Sequence, residues 1–225
     1  MLIRALNVIH TVLPGLPHYF IPFGKTYTHI DTKESVVSLS FDDGPHPSYT
    51  VDLLEVLREH QVKATFFMVG KKVEQYPHVV QAVIEYGHEI GNHSYSHPFL
   101  IFKSCSYIRR EINLTDSLLR NAGVENEILF RAPYGAQFLA LPIVLRKIKK
   151  KNVLFSISPR DWIPQDPSRI AEHVSKRIRP GSIITLHDGD PEGRRIVEST
   201  SQIITNLKNQ GFKVVTVSEL LALGG

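Results

Sequence analysis

From Val36 onward seven short apolar runs rich in Val, Ile, Phe and Thr alternate with longer segments of helical spacing, with no internal sequence repeat. The runs are VVSLSF from Val36, ATFFMVG from Ala64, HEIGN from His88, ILFR from Ile128, VLFSIS from Val153, SIITLH from Ser182 and FKVVTV from Phe212. Alternation of this kind specifies parallel strands joined by crossover helices. The helical segments start at Tyr49, Lys71, Tyr107, Phe138 and Ser168, and the clearest carries Ile196, Val197, Thr200, Ile203, Ile204 and Leu207 on one stripe. Gly87, Gly123 and Gly211 stand where C-caps belong, whereas Pro142 interrupts the segment from Phe138 to Lys151. Seven such units in 225 residues imply a closed or nearly closed β/α barrel rather than an open sheet.

The barrel directs attention to the C-terminal ends of its strands, where chemistry collects in such folds. Strand one ends in Asp42-Asp43-Gly44-Pro45. Side chains alternate along a strand, so two adjacent carboxylates reach one place only where the strand turns off, and Gly44-Pro45 supplies that turn. Strand three is followed by His93-Ser94-Tyr95-Ser96-His97, and one helical turn would set both imidazoles on one face. Arg131-Ala132-Pro133-Tyr134-Gly135 follows strand four, Asp161-Trp162 strand five, and His187-Asp188-Gly189 strand six. Singly, each has an ordinary reading as a solvated turn, an incidental histidine pair or a surface ion-pair former. Five polar groups at five strand ends point to one site.

Composition limits what that site holds. The only cysteine is Cys105, which excludes an internal disulfide and paired-thiolate metal sites, so a metal would have His and carboxylate ligands. Two histidines, one carboxylate and open positions suit catalytic zinc and also non-haem iron. The net charge of +4 is partly local, because Arg146 to Lys151 reads RKIKKK at an expected helix end, where cations favour the helix dipole. No stacking or base-reading pattern accompanies that cluster, so nucleic acid is not an expected partner. No apolar run reaches the length of a membrane span. Leu2, Leu6, Ile9 and Leu13 suggest a short helix lying on the domain, with a membrane surface as the other place for residues 1–30. No clear cleavable signal is present, and the compartment stays open between cytoplasm and membrane periphery.

The motifs SFDDGP, HSYSH, RAPYG, DW and TLHD, in this order across about residues 35 to 221, resemble those of the polysaccharide deacetylase family with the NodB homology domain, the fourth carbohydrate esterase family. The resemblance implies a distorted (β/α)7 barrel over 36–221, with 1–35 as an N-terminal extension and 222–225 as a tail. It implies a divalent metal, zinc as the expected ion, on Asp43, His93 and His97. Asp42 would be the general base towards water activated by the cation, oriented by Arg131. The backbone N–H of Tyr134 would stabilise the oxyanion, and His187, paired with Asp161, would protonate the leaving amine. The implied reaction is hydrolysis of N-acetyl groups on N-acetylglucosamine units of a glycan such as peptidoglycan or a chitin-type oligosaccharide.

Two departures bear on substrate contacts. Family members commonly carry Leu two positions before the catalytic His, lining the acetyl-methyl pocket, and this chain has Thr185. Around the fourth motif it has Phe155 and Ser158 where many members have an aromatic residue and an acid. Tyr134, Trp162 and Thr185 are the expected groove residues. The alternatives are an amidohydrolase for small cyclic or linear amides and a catalytically silent glycan-binding module. A haloacid-dehalogenase-like phosphatase does not fit, because its paired strand-end acids are one residue apart rather than adjacent.

Overall fold

A computed structural model describes residues 25–189 and 194–224. The helix expected around Leu2 to Leu13 lies outside the described residues. The strands are β1 (Thr26–Tyr27), β2 (Val36–Asp42), β3 (Thr65–Met68), β4 (Glu89–Asn92), β5 (Asn152–Val153), β6 (Ile183–His187) and β7 (Lys213–Val215). The helices are α1 (Tyr49–Glu59), α2 (Gly70–Gln75), α3 (Pro77–Glu85), α4 (Cys105–Asn121), α5 (Ala140–Lys147), α6 (Pro167–Ser175), α7 (Arg194–Asn209) and α8 (Val217–Ala222). Among the described residues, none of these helices is long and apolar enough to cross a membrane.

All strand pairs are parallel, and β2 is the hub. One edge of β2 is shared by β7 at Val36–Ser38 and β3 at Ser40–Asp42, and β6 runs along the other from Ser38 to Asp42. The barrel closes through single bridges, Asn92 to Phe130, Phe130 to Asn152 and Ile157 to Ile184. This is the expected distorted (β/α)7 barrel, with differences in its strands. The run from Ile128 to Arg131 is reduced to Phe130, bridged to Asn92 on one side and Asn152 on the other, and Pro133 has no N–H to extend a ladder. The run from Val153 shrinks to β5 plus the bridge at Ile157. In their place β1, which precedes the boundary expected at residue 35, pairs with β5.

Every residue of β2 is buried, because helices cover one face and the barrel interior the other. Val37, Leu39 and Phe41 pack outward against α1, α6 and α7 residues such as Leu53, Leu57, Val174 and Ile203. Val36, Ser38, Ser40 and Asp42 share the inner face by period. The lower interior is an apolar plug of Val36, Leu129, Val153, Ile183 and Val215 with Phe67. Above it Ser40, Thr185 and Arg131 are polar and fully buried, and Asp42 opens at the mouth.

Helix ends follow the sequence signals. Gly87, Gly123 and Gly211 take positive φ after α3, α4 and α7. The segment expected to begin at Lys71 divides at Pro77, the first residue of α3. Helix α5 forms despite Pro142 because that residue lies in its first turn, where its missing N–H has no partner to lose. The RKIKKK cluster ends α5 as expected, with Lys150 paired to Asp116 at 2.9 Å and Lys151 to Glu127 at 2.7 Å.

Gly181 fastens the segment from Ile30 to Val36 to the barrel floor. Its N–H donates to the Val36 carbonyl at 2.8 Å and its carbonyl accepts from Ile30 N–H at 3.0 Å. With φ at +79°, a Cβ there would lie 1.7 Å from the Ile30 oxygen. Gly181→Ala therefore combines left-handed strain with a backbone collision, and we expect urea unfolding to register a loss of about 2–4 kcal/mol.

Candidate active site

The two carboxylates at the end of β2 diverge by backbone conformation. Asp42 still has strand geometry and points into the barrel, whereas Asp43 has φ of +73°, which turns its side chain across the mouth. The turn is fixed from beneath by Asp188, whose N–H donates to the Asp42 carbonyl at 3.1 Å and whose carboxyl accepts from the Thr50 hydroxyl. A Cβ at Gly44 would fall 2.4 Å from that carboxyl, so the close approach requires glycine. Burial pushes the Asp188 carboxyl up to about 6, with Asp43 adding to the rise against Thr50 and Lys72.

His93 and His97 converge on Asp43, but not by the expected helical turn. The segment after β4 is a loop in which Ser94 and His97 have φ of +65° and +53°, and the two rings sit 5.0 Å apart. Two groups absent from the sequence reading hold this loop. Asn92 accepts from Ser94 N–H at 2.8 Å while donating to the Ile112 carbonyl and Asp116, and buried Glu111 on α4 accepts from Ser96 N–H at 2.8 Å. His93 Nδ1 lies 2.9 Å from the Arg131 carbonyl. As a donor to that oxygen it leaves a lone pair on Nε2, the tautomer a metal needs.

The donor set fits a divalent cation. Asp43 Oδ1 lies 3.3 Å from His93 Nε2 and 3.0 Å from His97 Nε2, yet this buried oxygen has no hydrogen-bond partner among the described residues. Three potential ligand atoms within 4.8 Å of one another form a possible metal site. Burial opposes ionisation of Asp43, but hydrogen bonds from His93 and His97 when their Nε2 atoms carry the proton, together with the charge of His187, hold its carboxyl well below the usual range.

Arg131 is completely buried and spends its donors around Asp42. Its Nη1 reaches Asp42 Oδ1 at 2.6 Å, Ser40 Oγ at 2.8 Å and Thr185 Oγ1 at 3.1 Å, while Nε and Nη2 donate to the carbonyls of Val153 and Leu154. The guanidinium also lies 3.9 Å from the Phe67 ring centroid, and Phe155 stands on a second side at 5.8 Å. Burial draws the Arg131 pKa down and Asp42 opposes that, which leaves a charged guanidinium as Arg requires. Ser40 belongs to this network too, and its signal was available, since it lies two residues before Asp42 on one strand face.

The third group is His187 with Asp161. The Asp161 carboxylate accepts from His187 backbone N–H at 2.7 Å and lies 3.0 Å from Nδ1, which orients the ring and leaves Nε2 for the mouth. Burial by itself would lower this imidazole's pKa. The charge and hydrogen bond of Asp161, then Asp43 and Asp42, outweigh it and raise the value to about 10. In the β2–β6 register Asp42 is directly opposite His187, so the two strand ends bring a carboxylate and an imidazolium to one opening.

Two aromatic residues border the opening. Tyr134, with φ of +61° in a 3-10 turn, has its ring 4.5 Å from that of His97 and is 45% exposed. Trp162, 42% exposed, meets His187 edge-on at 4.9 Å. Thr185 is a correction: it has no exposed surface, and its hydroxyl faces Asp42 and Arg131, so it is not a groove wall.

The polysaccharide deacetylase family model matches residues 29–154, a span that includes Asp42, Asp43, His93, His97 and Arg131. The chain is 36% identical over 202 residues to a peptidoglycan-N-acetylglucosamine deacetylase of Bacillus cereus, covering 89% of this chain and 94% of that one. It is 37% identical over 163 residues to a chitooligosaccharide deacetylase of Azorhizobium caulinodans, covering 72% and 78% respectively. The crystal structure of a peptidoglycan N-acetylglucosamine deacetylase in complex with 4-naphthalen-1-yl-N-oxidanyl-benzamide superposes with a TM-score of 0.83 at 30% identity, over 87% of this chain and 92% of that one.

Proposed function

The chain belongs to the polysaccharide deacetylase family, and from that premise we propose that it is a metal-dependent hydrolase removing N-acetyl groups from N-acetylglucosamine units of a glycan. The observation that carries this reading is the convergence of three sets in one barrel mouth: Asp43 with His93 and His97, Asp42 with Arg131, and His187 with Asp161.

A divalent cation on Asp43, His93 and His97, zinc in this reading, supplies Lewis acidity towards the amide carbonyl and makes water more acidic. Asp42 takes the proton of the attacking water. Arg131 holds one oxygen of this carboxylate, Oδ1, and leaves lone pairs for the reacting proton. The backbone N–H of Tyr134 donates to the carbonyl oxygen as negative charge develops there. His187 gives the proton on Nε2 to the departing nitrogen, and Asp161 stabilises the imidazolium until that moment. Water and amide are consumed, and acetate and a free sugar amine are released. Tyr134 beside His97 and Trp162 beside His187 offer apolar ring surface to the sugar.

Purified protein should release acetate from N-acetylglucosamine oligomers, lose that activity on chelation and recover it with added zinc. Release that persists after complete metal removal would overturn the mechanism, and turnover of ureides or imides without glycan turnover would overturn the substrate. In the sequence Thr185 favours small amides by suggesting an altered acyl pocket. Its burial against Asp42 removes that support.

A further inference from the structure

Thr185 lies opposite Ser40 in the β2–β6 register, one inward step below Asp42 and His187. Its hydroxyl is 3.2 Å from Asp42 Oδ2 and 3.1 Å from Arg131 Nη1. A hydroxyl has one proton and two lone pairs. Nη1 can only donate and the carboxylate accepts, so the Thr185 proton goes to Oδ2; the two Nη1 protons serve Asp42 Oδ1, Ser40 Oγ and Thr185 Oγ1, and the longest contact, to Thr185, shares one of them. Because Nη1 also donates to Asp42 Oδ1 at 2.6 Å, the three residues close a ring.

That ring does what Arg131 alone cannot. A carboxylate held through one oxygen can still rock about χ2, a broad torsion with no deep staggered well, within the arc that its single hydrogen bond allows. Held through Oδ1 by Arg131 and through Oδ2 by Thr185, its plane is fixed. Ser40 does not duplicate this, since its hydroxyl donates to the Ile184 carbonyl at 2.7 Å and touches the network only through Nη1. We propose that Thr185 is a positioning residue that sets the plane of the Asp42 carboxylate, so that the free lone pairs of the base face the barrel mouth. The inference rests on the reading of Asp42 as base.

The test compares wild type with Thr185→Val, which keeps the shape without the hydroxyl, and Thr185→Ser, which keeps the hydroxyl without the methyl. Kinetics on N-acetylglucosamine oligomers are measured alongside urea unfolding and zinc calorimetry. Thr185→Val should lower kcat about tenfold, the worth of one charge-assisted hydrogen bond, with KM and zinc affinity within about twofold of wild type. Thr185→Ser should recover kcat to within about threefold of wild type on the same reasoning. If the Val variant folds poorly, Thr185→Ala carries the same expectation. An unchanged kcat in the Val variant, a Ser variant no better than Val, or a rise in KM alone would overturn the inference while leaving the deacetylase reading intact. A wild type that turns over no amide substrate overturns both.

Discussion

Asp42→Asn should reduce kcat by about 10²–10⁴-fold, the usual contribution of a positioned general base, while leaving zinc affinity in place. The substitution is nearly isosteric, and its amide oxygen can still accept from Arg131 Nη1. Its NH₂ then faces Thr185 Oγ1, whose hydroxyl turns its proton away and accepts through its second lone pair. Geometry is therefore kept and basicity lost. Asp43, His93 and His97 are untouched, so calorimetric zinc binding serves as the control. Stability should also fall, because the fully buried guanidinium of Arg131 loses its partner carboxylate. Removing one partner of a buried pair costs up to about 3–5 kcal/mol, and the remaining acceptors, Ser40 and the Val153 and Leu154 carbonyls, offset part of that. Kinetics and urea unfolding on one preparation measure both effects. Activity within tenfold of wild type would remove Asp42 from its role as base.

The site was legible where local chemistry is sufficient. Asp-Asp at a strand end, two histidines four apart, and Arg131, Asp161 and His187 after later strands are each visible in the sequence, and the barrel brings them together. What was not legible depends on long-range placement. Whether Thr185 faces a groove or the base is decided by register with Ser40 and by an arginine 54 residues away. The histidine loop looks helical from its spacing, but its shape comes from Asn92 and from Glu111, which is contributed by a helix that begins later in the chain. The segment at Phe130 is a strand by composition and keeps only its bridges to Asn92 and Asn152, with Pro133 unable to extend the ladder. One local signal was present and unread: Thr216 and Glu219 form a capping box that starts α8, ending the strand expected to run through Val217.

Asp161→Asn should move the alkaline limb of kcat/KM down by at least about two pH units and lower activity near pH 8 by about 10²-fold or more. His187 must carry its proton to serve as an acid, so activity falls as pH rises through its pKa. In the folded chain that value is raised to about 10, chiefly because Asp161 overcomes the opposing effect of burial. A cation on Asp43 would cancel that carboxylate's share, so the wild-type limb should lie somewhat below 10. The substitution removes the two largest raising effects, the charge of Asp161 and its charged hydrogen bond, and leaves burial opposed only by Asp43 and Asp42, which lowers the imidazole's pKa. The introduced amide also cannot accept from both His187 N–H and Nδ1–H, as the carboxylate does, so one contact becomes repulsive or the ring adopts the wrong tautomer. The same shift has a stability signature. A histidine raised above its unfolded value stabilises the fold fully below about pH 6.5 and loses that contribution as pH climbs towards 10. Wild type should therefore lose stability relative to Asp161→Asn across that window, so the gap between their urea midpoints is widest at the acidic end and narrows with rising pH. An unchanged alkaline limb in the variant would show that the proton for the leaving amine comes from another group.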